Sequence, residues 1–418
     1  MRGRGRPSSL GDGCFGRLAG HSQSAYTTSL VIAPSTRQRS RAWVEVRLDR
    51  LRENAASAQR ALGADAGLVP MVKAEAYGLG LAPIAAALRD FPKAPAPWAF
   101  GVAAVAEGER LRADGWDGRI LVFSPASPLE YRRAVEAELT LCLSDLAAVG
   151  RLADVATELG RELPFHLEID TGMGRAGFPW ADAANWGAKV AAAADGHLRW
   201  EGTFTHFHSA DEPDPAPTEE QWERFQRAVE ALPAIVPVPL SHVANSAGIL
   251  RFGGFGCNLA RPGIYLYGGR AGPGTEPAPV VSLRACLVLV RQVQPGATAG
   301  YGATYQASQV ERWGTLAVGY GDGVPRALAG GGHVLVRGRR VPIVGRLSMD
   351  MITVDLSSVP GAEVGDVATL IGEDGGERIT VDDVAGICGT ISYEILTRLG
   401  TRLPRVYLDG EHDTGVAG

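Results

Sequence analysis

From Trp43 onward the chain alternates short apolar runs of strand length with alanine-rich stretches of helical spacing. No other feature limits its fold as strongly. Strand-like runs occur at Leu68–Lys73, Trp98–Val102, Arg119–Ser124, Leu139–Ser144, Pro164–Asp170, Leu198–Phe207, Pro239–Asn245 and Leu259–Leu266. Stretches such as Asp145–Arg161 and Glu219–Leu232 lie between them with the period of amphipathic helices. Strands separated by helices pair in parallel, and eight such units suggest closure into a TIM-type (β/α)8 barrel. An open doubly wound sheet has the same count without closure.

After about Leu283 the helical pattern fades. Strand-like segments at Ala285–Gln294, Gly314–Gly319, His333–Arg337, Val341–Val344, Met351–Leu356 and Val367–Ile371 are separated by Gly and Pro, as in a mainly β domain. The expected organisation is therefore α/β: a disordered extension over 1–41, a barrel over 42–282 and a C-terminal β-domain over 283–418. The strand Trp43–Leu48 precedes the barrel and is free to pair with the second domain.

Composition removes several classes of function. The net charge of −5 gives no basic field for nucleic acid or an anionic membrane. No apolar run approaches the roughly 18 residues of a membrane span. Residues 1–41 hold seven arginines and one acid, but their longest apolar stretch, Leu30-Val31-Ile32-Ala33, is too short for a secretory signal. The five cysteines are scattered with no Cys-x-x-Cys pair, which fits a reducing, cytoplasmic setting. Only three of the 41 basic residues are lysines (Lys73, Lys93 and Lys189). Where this chain needs positive charge alone it uses arginine, so a lysine after an apolar run draws notice.

Lys73 is such a lysine. It ends the first run, and barrel enzymes carry their chemistry at the C-terminal ends of strands. Desolvation there lowers an amine's pKa and readies it for attack on a carbonyl. On spacing alone, a strand-end lysine that simply reaches solvent is the commoner reading. Gly172-Met173-Gly174-Arg175-Ala176-Gly177 fits the dinucleotide fingerprint but follows the fifth strand, so it reads better as a turn that aims Arg175 into the barrel mouth. His206 and His208 are two apart in an expected strand and would share one face; Asp211 and His242 could join them around zinc, or one imidazole could stack on an aromatic cofactor. Asn245-Ser246 and Arg261-Pro262-Gly263-Ile264 follow the seventh strand and lie in the eighth, where such barrels cradle phosphate. Tyr301, Tyr320 and Tyr393 stand beside glycines or in late segments and could equally be half-buried strand tyrosines.

Taken together, these segments resemble the bacterial alanine racemases over about residues 42–408. The matching blocks are Val72-Lys73-Ala74-x-Ala76-Tyr77-Gly78, Asp170–Arg175, Thr205-His206-Phe207, Ala244-Asn245-Ser246-Ala247, Arg261-Pro262-Gly263-Ile264, Gly300-Tyr301-Gly302, Val318-Gly319-Tyr320 and Gly345-Arg346-x-x-Met349-Asp350. The resemblance implies a barrel plus β-domain, pyridoxal 5′-phosphate (PLP), and a head-to-tail homodimer that interconverts L- and D-alanine for peptidoglycan. It implies that Lys73 holds the cofactor covalently and acts as one acid/base, with Tyr301 from the partner subunit as the other. Tyr77, Asn245, Ser246, Gly263, Ile264 and Tyr393 would belong to the cofactor site, mainly at its phosphate. His206 would pack on the pyridine ring and Arg261 would donate to its nitrogen. Arg175 would bind the cofactor phenolate and the substrate carboxylate, Met349 would meet that carboxylate through its N–H, and Tyr320 would line the mouth.

The chain departs from the family at Glu168, where many members carry a carbamylated lysine; the glutamate is expected to orient Arg175 directly. Glu75, Leu79 and Ser348 also replace the more usual Asn, His and Cys. Two PLP-dependent alternatives fit less well. A decarboxylase would present an acid to the ring nitrogen instead of Arg261, and a PLP-carrier protein would lack the β-domain that supplies Tyr301. A metal hydrolase would need a bound metal.

Overall fold

The computed structural model describes residues 40–89, 96–194, 196–233 and 240–410. Of the extension expected over 1–41, only Ser40 and Arg41 fall within them.

Parallel pairing runs from Ala99–Val102 through Arg119–Val122, Thr140–Leu143, Leu163–Asp170 and Leu198–Phe204 to Leu240–His242. A second parallel pair joins Gly67–Leu68 to Leu259–Ala260. Backbone bonds link the two sets at both seams. Gly101 N–H donates to Pro70 O (2.9 Å) and Val72 N–H to Gly101 O (2.8 Å), while Arg261 N–H donates to Ala244 O (2.8 Å). These bonds close the strands into a TIM-type barrel.

Strand alternation fills it. Ala99, Leu121, Cys142, Phe204 and Leu259, drawn from five different strands, form one buried cluster with Val69, the residue after Gly67–Leu68. Their sequence neighbours Phe100, Ile120, Val122 and Leu141, together with Phe165 and Leu167 of Leu163–Asp170, belong instead to the larger core shared with the helices. Period-2 alternation thus gives each strand an inner and an outer apolar face. His166 and Glu168 flank Leu167 and share the inner face with these residues, which puts polar groups inside the barrel. The helix Leu146–Leu159 illustrates the crossovers. Asp145 caps it by accepting from Ala148 N–H (2.7 Å), and Gly160 ends it in the left-handed conformation.

The C-terminal domain is organised by one long strand, Val281–Val293. Its first half pairs antiparallel with Ala42–Arg47 and with Val367–Asp374; its second half pairs with Glu311–Leu316. Ala42–Arg47 also runs parallel to Arg405–Leu408, so the strand that opens the described chain is built into this sheet.

The structure differs from the sequence reading at four places. The sixth strand stops at Phe204, so His206 and His208 lie beyond it; Thr205 O is taken by the Arg261 side chain (2.7 Å) instead of a neighbouring strand. The eighth run is a strand only at Leu259–Ala260, because Pro262-Gly263 breaks it and Ile264–Tyr267 turns as a 3-10 helix. Two late helices, Val381–Cys388 and Ser392–Thr397, occupy a region expected to be β. Finally, Lys73 opens a turn in which Ala74, Glu75, Ala76 and Tyr77 all take φ between 50° and 57°. A left-handed run of non-glycine residues costs about 1–2 kcal/mol per residue, so its surroundings must hold it in place.

Candidate active site

The barrel mouth contains a cavity of about 120 Å³ lined by Met71, Lys73, Tyr77, Phe123, Glu168, Arg175, Phe204, His206, Asn245, Ser246, Arg261, Gly263 and Tyr393. Nine of the residues singled out from the sequence meet here: Lys73, Tyr77, Arg175, His206, Asn245, Ser246, Arg261, Gly263 and Tyr393. Ile264, next to Gly263, is buried at the start of its 3-10 turn.

Arg261 is the most constrained of them. Its Nη1 donates to His242 O (2.6 Å) and meets His242 Nδ1 (2.7 Å); its Nη2 donates to Thr205 O (2.7 Å) and Val243 O (3.3 Å) and approaches His206 Nδ1 (3.4 Å). Phe123 and Phe204 lie under the guanidinium, 5.6 and 5.2 Å from its carbon. Burial lowers its pKa to about 10, which still leaves it charged at neutral pH. All of these bonds use the two terminal nitrogens, so Nε–H is the donor left to a ligand atom. Because an arginine only donates, His242 Nδ1 must be the accepting nitrogen. Its Nε2 then donates to His166 Nδ1 at 2.8 Å.

Burial lowers the pKa of Lys73, and the charges of Arg175 and Arg261 lower it further against an opposing pull from Glu107. His206 is pushed down to about 3, first by burial and then by Arg261 and Arg175, so its ring is neutral. Arg175 reaches the cavity from the turn after Asp170, whose Oδ1 accepts from Gly172 N–H (2.9 Å) and Gly174 N–H (3.1 Å). Gly172, Gly174 and Gly177 all have positive φ, which accounts for the glycine spacing as turn geometry. Glu168 lines the same cavity, but its hydrogen bond comes from Ser144 Oγ (3.0 Å) and burial raises its pKa. No hydrogen bond or ion pair joins Glu168 to Arg175 as expected, although the Arg175 charge still favours the ionised carboxylate.

On the other side of the cavity, Gly263 N–H donates to Ser246 Oγ (2.8 Å). A Cβ at Gly263 would lie 2.3 Å from the Tyr77 hydroxyl oxygen, so only glycine fits there. Asn245 uses its Oδ1 to cap the helix Ser246–Phe252 through Gly248 N–H (3.0 Å). Sequence reasoning missed Tyr267. It stacks on Tyr77 with ring centroids 4.5 Å apart and donates its hydroxyl to Met71 O (2.8 Å). Its only sequence signal was an apolar position three residues after Ile264.

The histidines expected as possible zinc ligands occupy separate settings. His206 faces the cavity, His242 is buried between Arg261 and His166, and His208 bonds to Ser209 Oγ (2.6 Å). Among the described residues no group of three or more His, Cys, Asp or Glu is placed to hold a metal.

Tyr301, Tyr320 and Met349 do not line the Lys73 cavity. They sit in the C-terminal domain and are 64%, 38% and 52% exposed. They are neighbours there: Tyr320 N–H donates to Ser348 O (3.1 Å), Gly321 N–H to Met349 O (2.8 Å), and Gly300 lies against the Arg346 backbone.

A family profile described as alanine racemase, N-terminal domain, matches residues 46–271, and one for the C-terminal domain matches residues 280–407. The alanine racemase of Halothermothrix orenii is 35% identical over 370 residues, covering 87% of this chain and 96% of that protein. That of Symbiobacterium thermophilum is 38% identical with the same coverage. The crystal structure of alanine racemase from Streptomyces lavendulae, a D-cycloserine producer, superposes with a TM-score of 0.82 at 34% identity, covering 90% of this chain and 99% of that one. Agreement over both domains means that this chain belongs to the alanine racemase family of isomerases.

Proposed function

We propose that this protein interconverts L- and D-alanine with pyridoxal 5′-phosphate and two acid/base groups, one from each chain of a homodimer, and supplies D-alanine to peptidoglycan in the cytoplasm. The observation that carries the reading is the desolvated Lys73 amine sharing one cavity with Arg261, Arg175 and the Ser246–Gly263 cradle. The donor set fits the cofactor. The Ser246 hydroxyl, which accepts from Gly263 N–H and keeps its own O–H to donate, the N–H of Ile264 and the hydroxyls of Tyr77 and Tyr393 suit a phosphate; Nε–H of Arg261 suits a ring nitrogen; neutral His206 suits a flat ring face.

The chemistry this cofactor supplies when bound is an electron sink for the charge left as the substrate's α-proton departs. Arg175 binds the substrate carboxylate and orients it. Lys73 Nζ takes the α-proton from one face, and the Tyr301 hydroxyl returns a proton to the other; in the reverse direction the two exchange roles. Burial favours this use of Lys73, since lowering the amine's pKa makes its uncharged, proton-accepting form easier to reach. Arg261 does not readily release a proton, so it leaves the ring nitrogen unprotonated and limits side reactions such as transamination. The exposure of Tyr301, Tyr320 and Met349 on the C-terminal domain suits residues that reach into a second copy's cavity.

Tyr320 and Tyr393 crowd the expected side-chain pocket, which favours alanine. A panel of L-amino acids tests the assignment. L-alanine should be racemised fastest, and Lys73→Ala should lose about a thousandfold or more of that rate as one of the two bases disappears. Preference for a larger amino acid, or full activity in Lys73→Ala, would contradict it.

A further inference from the structure

The segment that presents Lys73 is strained, and one carboxylate ties it down. Within the left-handed turn, Ala76 N–H donates to Val72 O (2.9 Å) and Gly80 N–H to Glu75 O (2.8 Å). Ala74 N–H stands at the start of the turn, where helical geometry leaves donors without a carbonyl. It donates instead to Glu107 Oε1 at 2.6 Å. Glu107 belongs to the helix Val105–Ala113 of the next barrel unit. Its other oxygen, Oε2, accepts from Ala103 N–H (2.7 Å) and Ala104 N–H (3.1 Å) at the start of that helix. The far end of the turn is anchored from the C-terminal strand: Arg405 donates to Gly78 O through Nε (3.1 Å) and Nη2 (2.8 Å).

We propose that Glu107 is a positioning residue for Lys73, holding through the Ala74 N–H the left-handed turn that carries the amine. One oxygen of the carboxylate caps a helix; the other fixes the backbone next to the reactive lysine. The proposal rests on the reading of Lys73 as the cofactor-holding amine. The charged groups acting on that amine are Arg175, Arg261 and Glu107, while Glu168, His206, Tyr77 and Tyr393 line the same cavity. Glu107 is the anion among the three, so it also offsets part of the guanidinium field at Nζ.

Glu107→Gln in the full-length, cofactor-loaded protein separates the two jobs. Two N–H groups on the helix side draw the amide oxygen there, which turns the amide N–H₂ toward Ala74 and ends its hydrogen bond. Hydrogen exchange read by mass spectrometry should show the Lys73–Leu79 peptide opening about tenfold more often, the factor expected for one lost charge-assisted bond. The Val105–Ala113 peptide should keep its parental protection. Borohydride reduction at limiting cofactor should then leave less pyridoxyl label on Lys73 than in the parent. Glu107→Ala should loosen both peptides. Parental protection of Lys73–Leu79 in Glu107→Gln, or loosening of the helix along with the turn, would reduce Glu107 to a helix cap and overturn the proposal. Parental label on Lys93 or Lys189 instead of Lys73 would overturn the underlying reading of Lys73, whatever the exchange rates.

Discussion

Gly263 shows how much of this site depends on a missing atom. The Tyr77 hydroxyl occupies the place a Cβ would take, 2.3 Å away. Tyr77 cannot easily swing aside, because it stacks on Tyr267, which is itself tied to the Met71 carbonyl. Gly263→Ala should therefore cost about 1–3 kcal/mol of overpacking at the cradle, read as a tenfold or larger rise in the cofactor Kd. An unchanged Kd would mean that the cradle does not bind the phosphate. Composition and the strand-end position made Lys73 a candidate, since a chain so rich in arginine has few amines, but only the ordered blocks gave it an expected role. Arg175 was legible at the cavity from its strand-end glycine turn, whereas the expected roles of Arg175 and Arg261 came only through the ordered blocks. Glu107 and Tyr267 were not legible, because a glutamate at a helix start and a tyrosine in an apolar run are ordinary until the fold brings them beside Lys73 and Tyr77.

The barrel strands were readable because alternation and apolar runs follow directly from burial on two faces. Their ends were not. Phe204 stops its strand because Arg261 claims the next carbonyl, a contact between residues far apart in sequence. The left-handed turn after Lys73 was equally hidden, since Ala-Glu-Ala-Tyr favours a right-handed helix and only tertiary clamps reverse it. The helix Val381–Cys388 did carry a local sign. Thr380 accepts from Asp383 N–H (3.0 Å) and Asp383 reaches back to Thr380 N–H (2.8 Å), a capping box written as Thr-x-x-Asp. This helix bears on the site, because its Asp382 accepts from Ser392 Oγ in the short helix that carries Tyr393. Thr380→Ala should lower stability by about 1 kcal/mol, measured as a fall in the denaturant midpoint with an unchanged slope. No shift would show that the cap is dispensable.

Stability of the whole protein should fall in mild acid. His166 and His242 are buried and His206 is half-buried at the cavity; the pKa values of all three are lowered, that of His206 to about 3. In the unfolded chain these rings take up protons below about pH 6.5, whereas the native rings do so only at lower pH. The unfolded state then binds more protons, so stability rises with pH and is lost as pH falls from about 6.5 toward 3. Glu168, with its raised pKa, works in the opposite sense but is a single group. Thermal melts between pH 7 and 5, above the range where most carboxylates titrate, should show a falling Tm. A flat profile would contradict the neutral-histidine barrel interior.

Under the proposed function, each reactive centre would join the Lys73 cavity of one chain to Tyr301 of another. Within one chain the two lie apart, Lys73 in the barrel mouth and Tyr301 on an exposed turn of the C-terminal domain. Lys73→Ala and Tyr301→Phe should each be nearly inactive alone, since each removes one of two bases. In a two-fold dimer mixed from both, one site carries both defects and the other carries neither. The decisive measurement is alanine racemisation after subunit exchange between equal amounts of the two inactive variants. Half the dimers would be mixed, each with one intact site of two, so roughly a quarter of the parental activity should return. No recovery, with exchange demonstrated independently, would place both bases on one chain and contradict the shared centre.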